Sequence, residues 1–182
     1  MKKFFIITAL LFCLQIFSQK SVEIYNFTNQ TLRISSIFTK PLTSDFPWCA
    51  SVSPSFISID PGDSYVLENT SNIYRFPFYS PNSPTLITNW RRVLEPATPG
   101  GNSNWSNITS NTAWVLGNNQ YFNYLEFSMY SGNQYNGSGY IGNLNFWVTA
   151  NPLTNATYQW EIIHDNFTNG TTIIDTIVVY SI

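Results

Sequence analysis

The sequence predicts an all-β chain: a single antiparallel β-sandwich domain of jelly-roll type behind a cleaved signal peptide. Three observations carry this. Apolar residues alternate with polar ones at period two through much of the chain. Turn-forming groups of Asn, Asp, Pro and Gly interrupt the alternation at short intervals. No window presents a capped helical face, and Pro and Gly recur too often between Pro41 and Gly101 for long helices. Ten or eleven strand candidates result, a number that two packed sheets would use. No sustained repeat points to a solenoid or propeller.

Met1 to Ser18 reads as the signal. Lys2 and Lys3 make a positive start, and Phe4 to Phe17 is apolar apart from Thr8 and Gln15. The run is short for a spanning helix. Ser18 is a small residue before a cut, so the mature domain is expected to run from Gln19 to Ile182. Cys13 lies inside the signal, and Phe12 stands where a lipoprotein needs a small residue, which argues against lipidation. The Lys-Lys-Phe-Phe opening looks bacterial.

The first strands are marked by Val22 and Ile24, then by Leu32 and Ile34, with Asn26 to Thr31 expected to form a hairpin turn between them. Lys40 to Ser55 reads as a long loop. Phe56 to Ile59 and Tyr65 to Leu67 flank Asp60-Pro61-Gly62-Asp63, where Pro presets the turn and Gly accepts positive φ. Trp90 lies in a strand, and Pro96 to Gln120 reads as a second long loop. Leu125, Phe127 and Met129 alternate with Glu126 and Ser128. Ser131 to Gly139 reads as a third loop. Leu144, Phe146 and Val148 place Trp147 on the opposite face of their strand. Tyr158, Trp160 and Ile162 precede Asn169-Gly170, the strongest hairpin signal, and Ile173 to Val179 closes the chain in a β-branched run.

Composition narrows the function. Eighteen residues removed from 182 leave 164, enough for one substantial core. The mature part has six Lys and Arg against ten acids, a net charge near −4. With no basic stripe, nucleic acid is not an expected partner. Charged residues are 10% of the chain, well under the usual quarter, so the surface is polar but sparsely charged and suits sugars. Cys49 is the only mature cysteine, so no disulfide staples the domain.

Catalytic signals are weak. His164 is the only histidine, and it has no nucleophile motif around it. Asp60 and Asp63 flank a turn glycine and read as turn residues. Glu126 and Glu161 read as solvent-facing strand positions. One His and one mature Cys make a poor nitrogen or sulfur metal set, and no D-x-D-x-D run suggests calcium. Neither a catalytic residue, a metal ligand nor a cofactor is expected. Nine N-x-[ST] sequons occur, Asn26 among them, but in an Asn- and Thr-rich chain of bacterial type they read as chance matches.

The aromatic residues are the remaining signal. Trp90 and Trp147 lie on strands, and Trp105 and Trp114 lie in the Asn-Ser-Thr loop. Tyr135 and Tyr140 bracket Asn136-Gly137-Ser138-Gly139, and Arg91 and Arg92 follow Trp90. Each ring alone reads as packing. As a group, Trp90, Trp105, Trp114, Tyr135, Tyr140 and Trp147, with Arg91 to bond a carboxylate or hydroxyl pair, read as a glycan-binding surface. Two other classes fit the composition. Tyr25-Asn26-Phe27-Thr28 resembles, over those few residues, the strand-Asn-Thr-strand opening of small secreted β-sandwich lysins, which would imply a membrane-interacting module. A structural or adhesive envelope protein held by edge strands is the other.

Overall fold

The computed structural model describes residues 19–44, 46–52, 57–68, 75–78, 89–94, 104–142, 158–169 and 172–181. These form a β-sandwich. The smaller sheet has four strands in the order β10 (Tyr158–Asn169), β11 (Thr172–Ser181), β1 (Gln19–Phe27), β5 (Ser64–Glu68). The larger has seven. Its path runs β7 (Ser106–Asn107), β6 (Asn89–Val93), β3 (Trp48–Val52), β2 (Thr31–Lys40), β8 (Tyr121–Ser131), β9 (Gln134–Gly142), and β4 (Ile57–Ile59) also pairs with β2. All pairs are antiparallel except β1 with β11, which run parallel.

The apolar alternation sets the core. Val22, Ile24, Tyr65, Leu67, Ile177 and Val179 of the smaller sheet meet Leu32, Ile34, Ile37, Leu125, Phe127 and Met129 of the larger. Most of these side chains are fully buried, each contributing ~1.5–3 kcal/mol relative to exposure. Phe76, Phe78 and Trp90 fill one side of this layer in edge-to-face contacts. Trp90 Nε1 donates to the Phe78 carbonyl, so its polar atom is satisfied inside the core.

The expected hairpin at Asn26 to Thr31 is instead a crossover, because β1 and β2 belong to different sheets. The turn at Asp60 to Asp63 also carries the chain across, from β4 to β5. Asn26 ties the two crossovers together. Its backbone N–H donates to Asp63 O and its carbonyl accepts from Gly62 N. Its Nδ2 donates to Gln30 O at 2.7 Å and Ile59 O at 2.8 Å. Its Oδ1 accepts from Thr28 N and Thr28 Oγ1. This Nδ2 is buried and engaged, so the Asn26 sequon is inaccessible in the folded chain.

The three expected loops contain regular structure. β3 lies within 40–55, and β9 starts at Gln134, three residues after β8 ends. β7 and a helix, α1 (Ser110–Gly117), lie within 96–120. The helix escapes a periodicity search because it has only eight residues and leaves Trp114 and Val115 exposed. It has the cap that the sequence reading missed: Thr109 Oγ1 accepts from Thr112 N. Its far end is held by Lys20, whose buried Nζ donates to Gly117 O, Asn118 O and Gln120 O. β10 and β11 pair antiparallel as the hairpin signal predicts, but Asn169 is itself paired, opposite Thr172, rather than a loop residue.

Candidate functional site

Two bulges decide what the outer face of the larger sheet displays. Ile34 and Ile37 both face the core although three residues apart, which a regular strand forbids. The register shift between Ile34 and Ser36 absorbs Ser35 and makes this possible. Phe38 then points outward. On β8 the same happens at Asn123: Phe122 and Leu125 face in, and Tyr124 faces out beside Phe38. The bulge presses on β9. A Cβ on Gly142 would lie 2.4 Å from Asn123 O, and Gly142 has φ +124°, so only glycine fits opposite Tyr124.

The outward residues at this end form a second apolar cluster of Phe38, Trp48, Ala50, Val93, Tyr124 and Tyr140, with Phe46 and Trp105 packed against it. Phe38 and Tyr124 stack with centroids 4.1 Å apart, and Trp105 meets Phe38 edge-on at 6.3 Å. Arg91, outward on β6, lies over the Trp105 ring at 4.7 Å. Lys40 stands above Trp48 at 5.9 Å.

At the opposite end of the face, Tyr130 and Tyr135 pair across β8 and β9 with rings 5.8 Å apart. Tyr135 is 55% exposed, and its hydroxyl bonds Ser138 Oγ at 2.8 Å. Arg33 lies over the Tyr130 ring at 4.0 Å. Between the two aromatic ends the outward positions are small or polar. Arg33 is opposite Ser58 and Ser128, Ser128 is opposite Ser138, and Ser36 is opposite Glu126. The result is a serine-floored strip between two ring-and-guanidinium ends.

Glu126 is the carboxylate of this strip. It is half-buried, against the expectation of a solvent-facing side chain. Burial raises its carboxyl above the usual range, and the Arg91 charge partly offsets this. Burial, with Glu126 adding, also pushes the Tyr124 hydroxyl up, so it stays protonated and can donate.

The structure sorts the sequence candidates. Arg91, Trp105 and Tyr135 lie on this face and keep exposed surface. Tyr140 is on the same face but only 7% exposed, so it supports the cluster rather than presenting a ring. Trp90 is fully buried and faces the opposite way, into the core, and is no ligand residue. Trp114 is 43% exposed but sits on α1, under the Arg75 guanidinium at 4.2 Å. Trp147 lies outside the described residues. The sequence reading missed Arg33, Phe38, Tyr124 and Tyr130. Arg33, Tyr124 and Tyr130 were legible from strand parity, whereas Phe38 was hidden by the Ser35 bulge.

Among the described residues, no group of three or more His, Cys, Asp or Glu is placed to hold a metal ion. No helix of the described residues is long and apolar enough to cross a membrane. Comparison of the chain with protein-family models, with curated proteins and with solved structures gives no match.

Proposed function

We propose that this chain is a secreted, non-catalytic module that binds glycan across the outer face of its larger sheet. The observation that carries the reading is the strip itself. Tyr135 at one end and Trp105 at the other keep ring surface for a sugar to pack on, and serine hydroxyls, Glu126 and two guanidinium groups offer hydrogen bonds. Export is supported by the Lys2-Lys3 start and the apolar run to Phe17.

A second reading rests on a different surface. Trp114 and Val115 are exposed side by side on α1, and Leu42 and Leu94 are exposed just beyond the ends of β2 and β6. Such side chains suit a lipid interface.

Tryptophan fluorescence of the mature protein, titrated with neutral and acidic polysaccharides and with liposomes, tests both. Saturable binding of a polysaccharide, weakened about tenfold or more by Trp105→Ala, is the expected result for a stacking contact. A response to liposomes alone would reject the glycan reading in favour of the membrane one. No response to either would reject both and leave the structural or adhesive role.

A further inference from the structure

The charges are not spread evenly over the two sheets. The strands of the larger sheet carry Arg33, Lys40, Arg91 and Arg92 and one carboxylate, Glu126. The strands of the smaller sheet carry Glu23, Glu68, Glu161, Asp165 and Asp175 and one cation, the buried Lys20. An acidic chain therefore has a locally basic sheet. Three of its four cations, Arg33, Lys40 and Arg91, stack on the outward rings Tyr130, Trp48 and Trp105.

Arg33 and Arg91 have something further in common. Each is half-buried, and the Nε of each is buried with no hydrogen-bond partner. No carboxylate of the described residues closes on either guanidinium. A ring beneath a guanidinium fixes its plane, and with Nε buried the two terminal nitrogens are the pair left to take a carboxylate by two parallel bonds. Arg33 lies level with Ser128 and Arg91 with Tyr124, four residues further along β8 and two strands over. At ~3.3 Å per residue and ~4.8 Å per strand, their Cα atoms are about 16 Å apart. That span exceeds one sugar ring and fits a short stretch of polymer.

We propose that the glycan is acidic: a carboxylate-bearing polysaccharide, with Arg33 and Arg91 as two anion subsites at the ends of the serine-floored strip. This rests on the glycan reading above and names its ligand class. The polymer's hydroxyls would face Ser36 and Ser58 near the line between the subsites, with Ser128, Ser138 and Glu126 flanking Arg33 on β8 and β9, and Trp105 and Tyr135 would bound its track. A carboxylate chain offers both guanidinium groups charged acceptors, where a neutral chain offers hydroxyls only.

Affinity electrophoresis of the mature protein separates the two readings. The gels contain polygalacturonate, the same polymer with its carboxyls methyl-esterified, dextran, or polyphosphate. The expected result is retardation by polygalacturonate at least tenfold stronger than by its methyl ester, and largely lost in 0.5 M salt, a condition of about 4 Å screening length. Arg33→Gln and Arg91→Gln should each weaken it about tenfold, with circular dichroism confirming the fold. Equal retardation by the acid and the ester, or by dextran, would overturn the acidic ligand while leaving a glycan module. Retardation by polyphosphate as strong as by polygalacturonate would overturn the glycan reading, since charge alone would then be read. No retardation by any polymer would overturn both. The acid-to-ester comparison uses the unaltered protein, so it decides the matter even if an Arg variant fails to fold.

Discussion

Replacing Lys20 by Met tests whether the start of β1 is fixed to the end of α1 by an ion. The Nζ donates to the oxygens of Asn118 at 2.7 Å, Gln120 at 3.0 Å and Gly117 at 3.1 Å, and lies 3.8 Å over the Tyr121 ring. Bonds from a charged donor contribute ~1.5–3 kcal/mol each, so three sum to about 6 kcal/mol. Met keeps the apolar stem and loses all three. Against this stands the cost of burying the charge. Burial first, and the nearby Arg75 second, lower Lys20 from 10.5 to about 8. At about 1.36 kcal/mol per pH unit that is at most about 3 kcal/mol, and less with solvent screening. The net loss expected for Lys20→Met at pH 7 is about 3 kcal/mol.

The pH profile supplies an independent sign. Folded, Lys20 releases its proton near pH 8; unfolded, it holds it to about 10.5. Between these values the unfolded chain binds more protons, so this residue makes stability rise with pH. Urea denaturation of both proteins at pH 7.0, 8.5 and 9.5 reads the effect. The wild-type advantage over Lys20→Met should grow by up to about 2 kcal/mol across the series. Tyrosine titrations are common to both proteins and cancel in the difference. A Met variant as stable as wild type at pH 7 would refute the ionic cap. A difference that stays flat or shrinks with pH would refute a burial-depressed amine.

Other perturbations follow from the same geometry. Gly142→Ala should cost about 2 kcal/mol or more in urea denaturation, because its Cβ would meet Asn123 O at 2.4 Å and φ is +124°; a neutral result would mean that β9 is not pressed against the β8 bulge. Glu126→Gln should raise stability at pH 7 relative to pH 4. Burial raises the folded carboxyl, so the native state loses stability as pH rises through that value, and the amide removes the loss; denaturation curves at both pH values check it. Cys49, pushed up to about 12 by burial, should resist thiol reagents until the domain unfolds, and fast labelling of native protein would contradict its position.

The strands and the sandwich were legible because period two survives wherever a strand is regular. Val22, Ile24, Leu32, Ile34, Leu125, Phe127 and Met129 all face the core as alternation predicts. Sheet assignment was not legible. A short Asn-rich turn has the same residues whether its strands pair or part, and at Asn26 the deciding bonds come from Ile59 and Asp63, more than thirty residues away. The site was half legible for a related reason. Parity fails at a bulge, and nothing local marks Ser35 or Asn123 as extra residues. Read with unbroken parity, Phe38 would face the core. It in fact builds the wall of the outer strip together with Tyr124 and Trp105.

Charge is where the sequence average misleads most. A net charge of −2 and a tenth of charged residues describe a chain suited to neutral ligands. The topology divides that average. The crossovers at Asn26 and Asp60 send β1 and β5 to one sheet and β2 and β4 to the other, and the carboxylates go with the first while the cations go with the second. The sheets lie about 10 Å apart, beyond the ~8 Å Debye length at physiological salt, so each face's field is screened and a distant polyanion feels little pull from the basic one. Short-range contacts at Arg33 and Arg91, not long-range steering, must then supply selectivity. Salt should accordingly weaken a bound carboxylate polymer chiefly by speeding its release, with a smaller effect on its rate of capture.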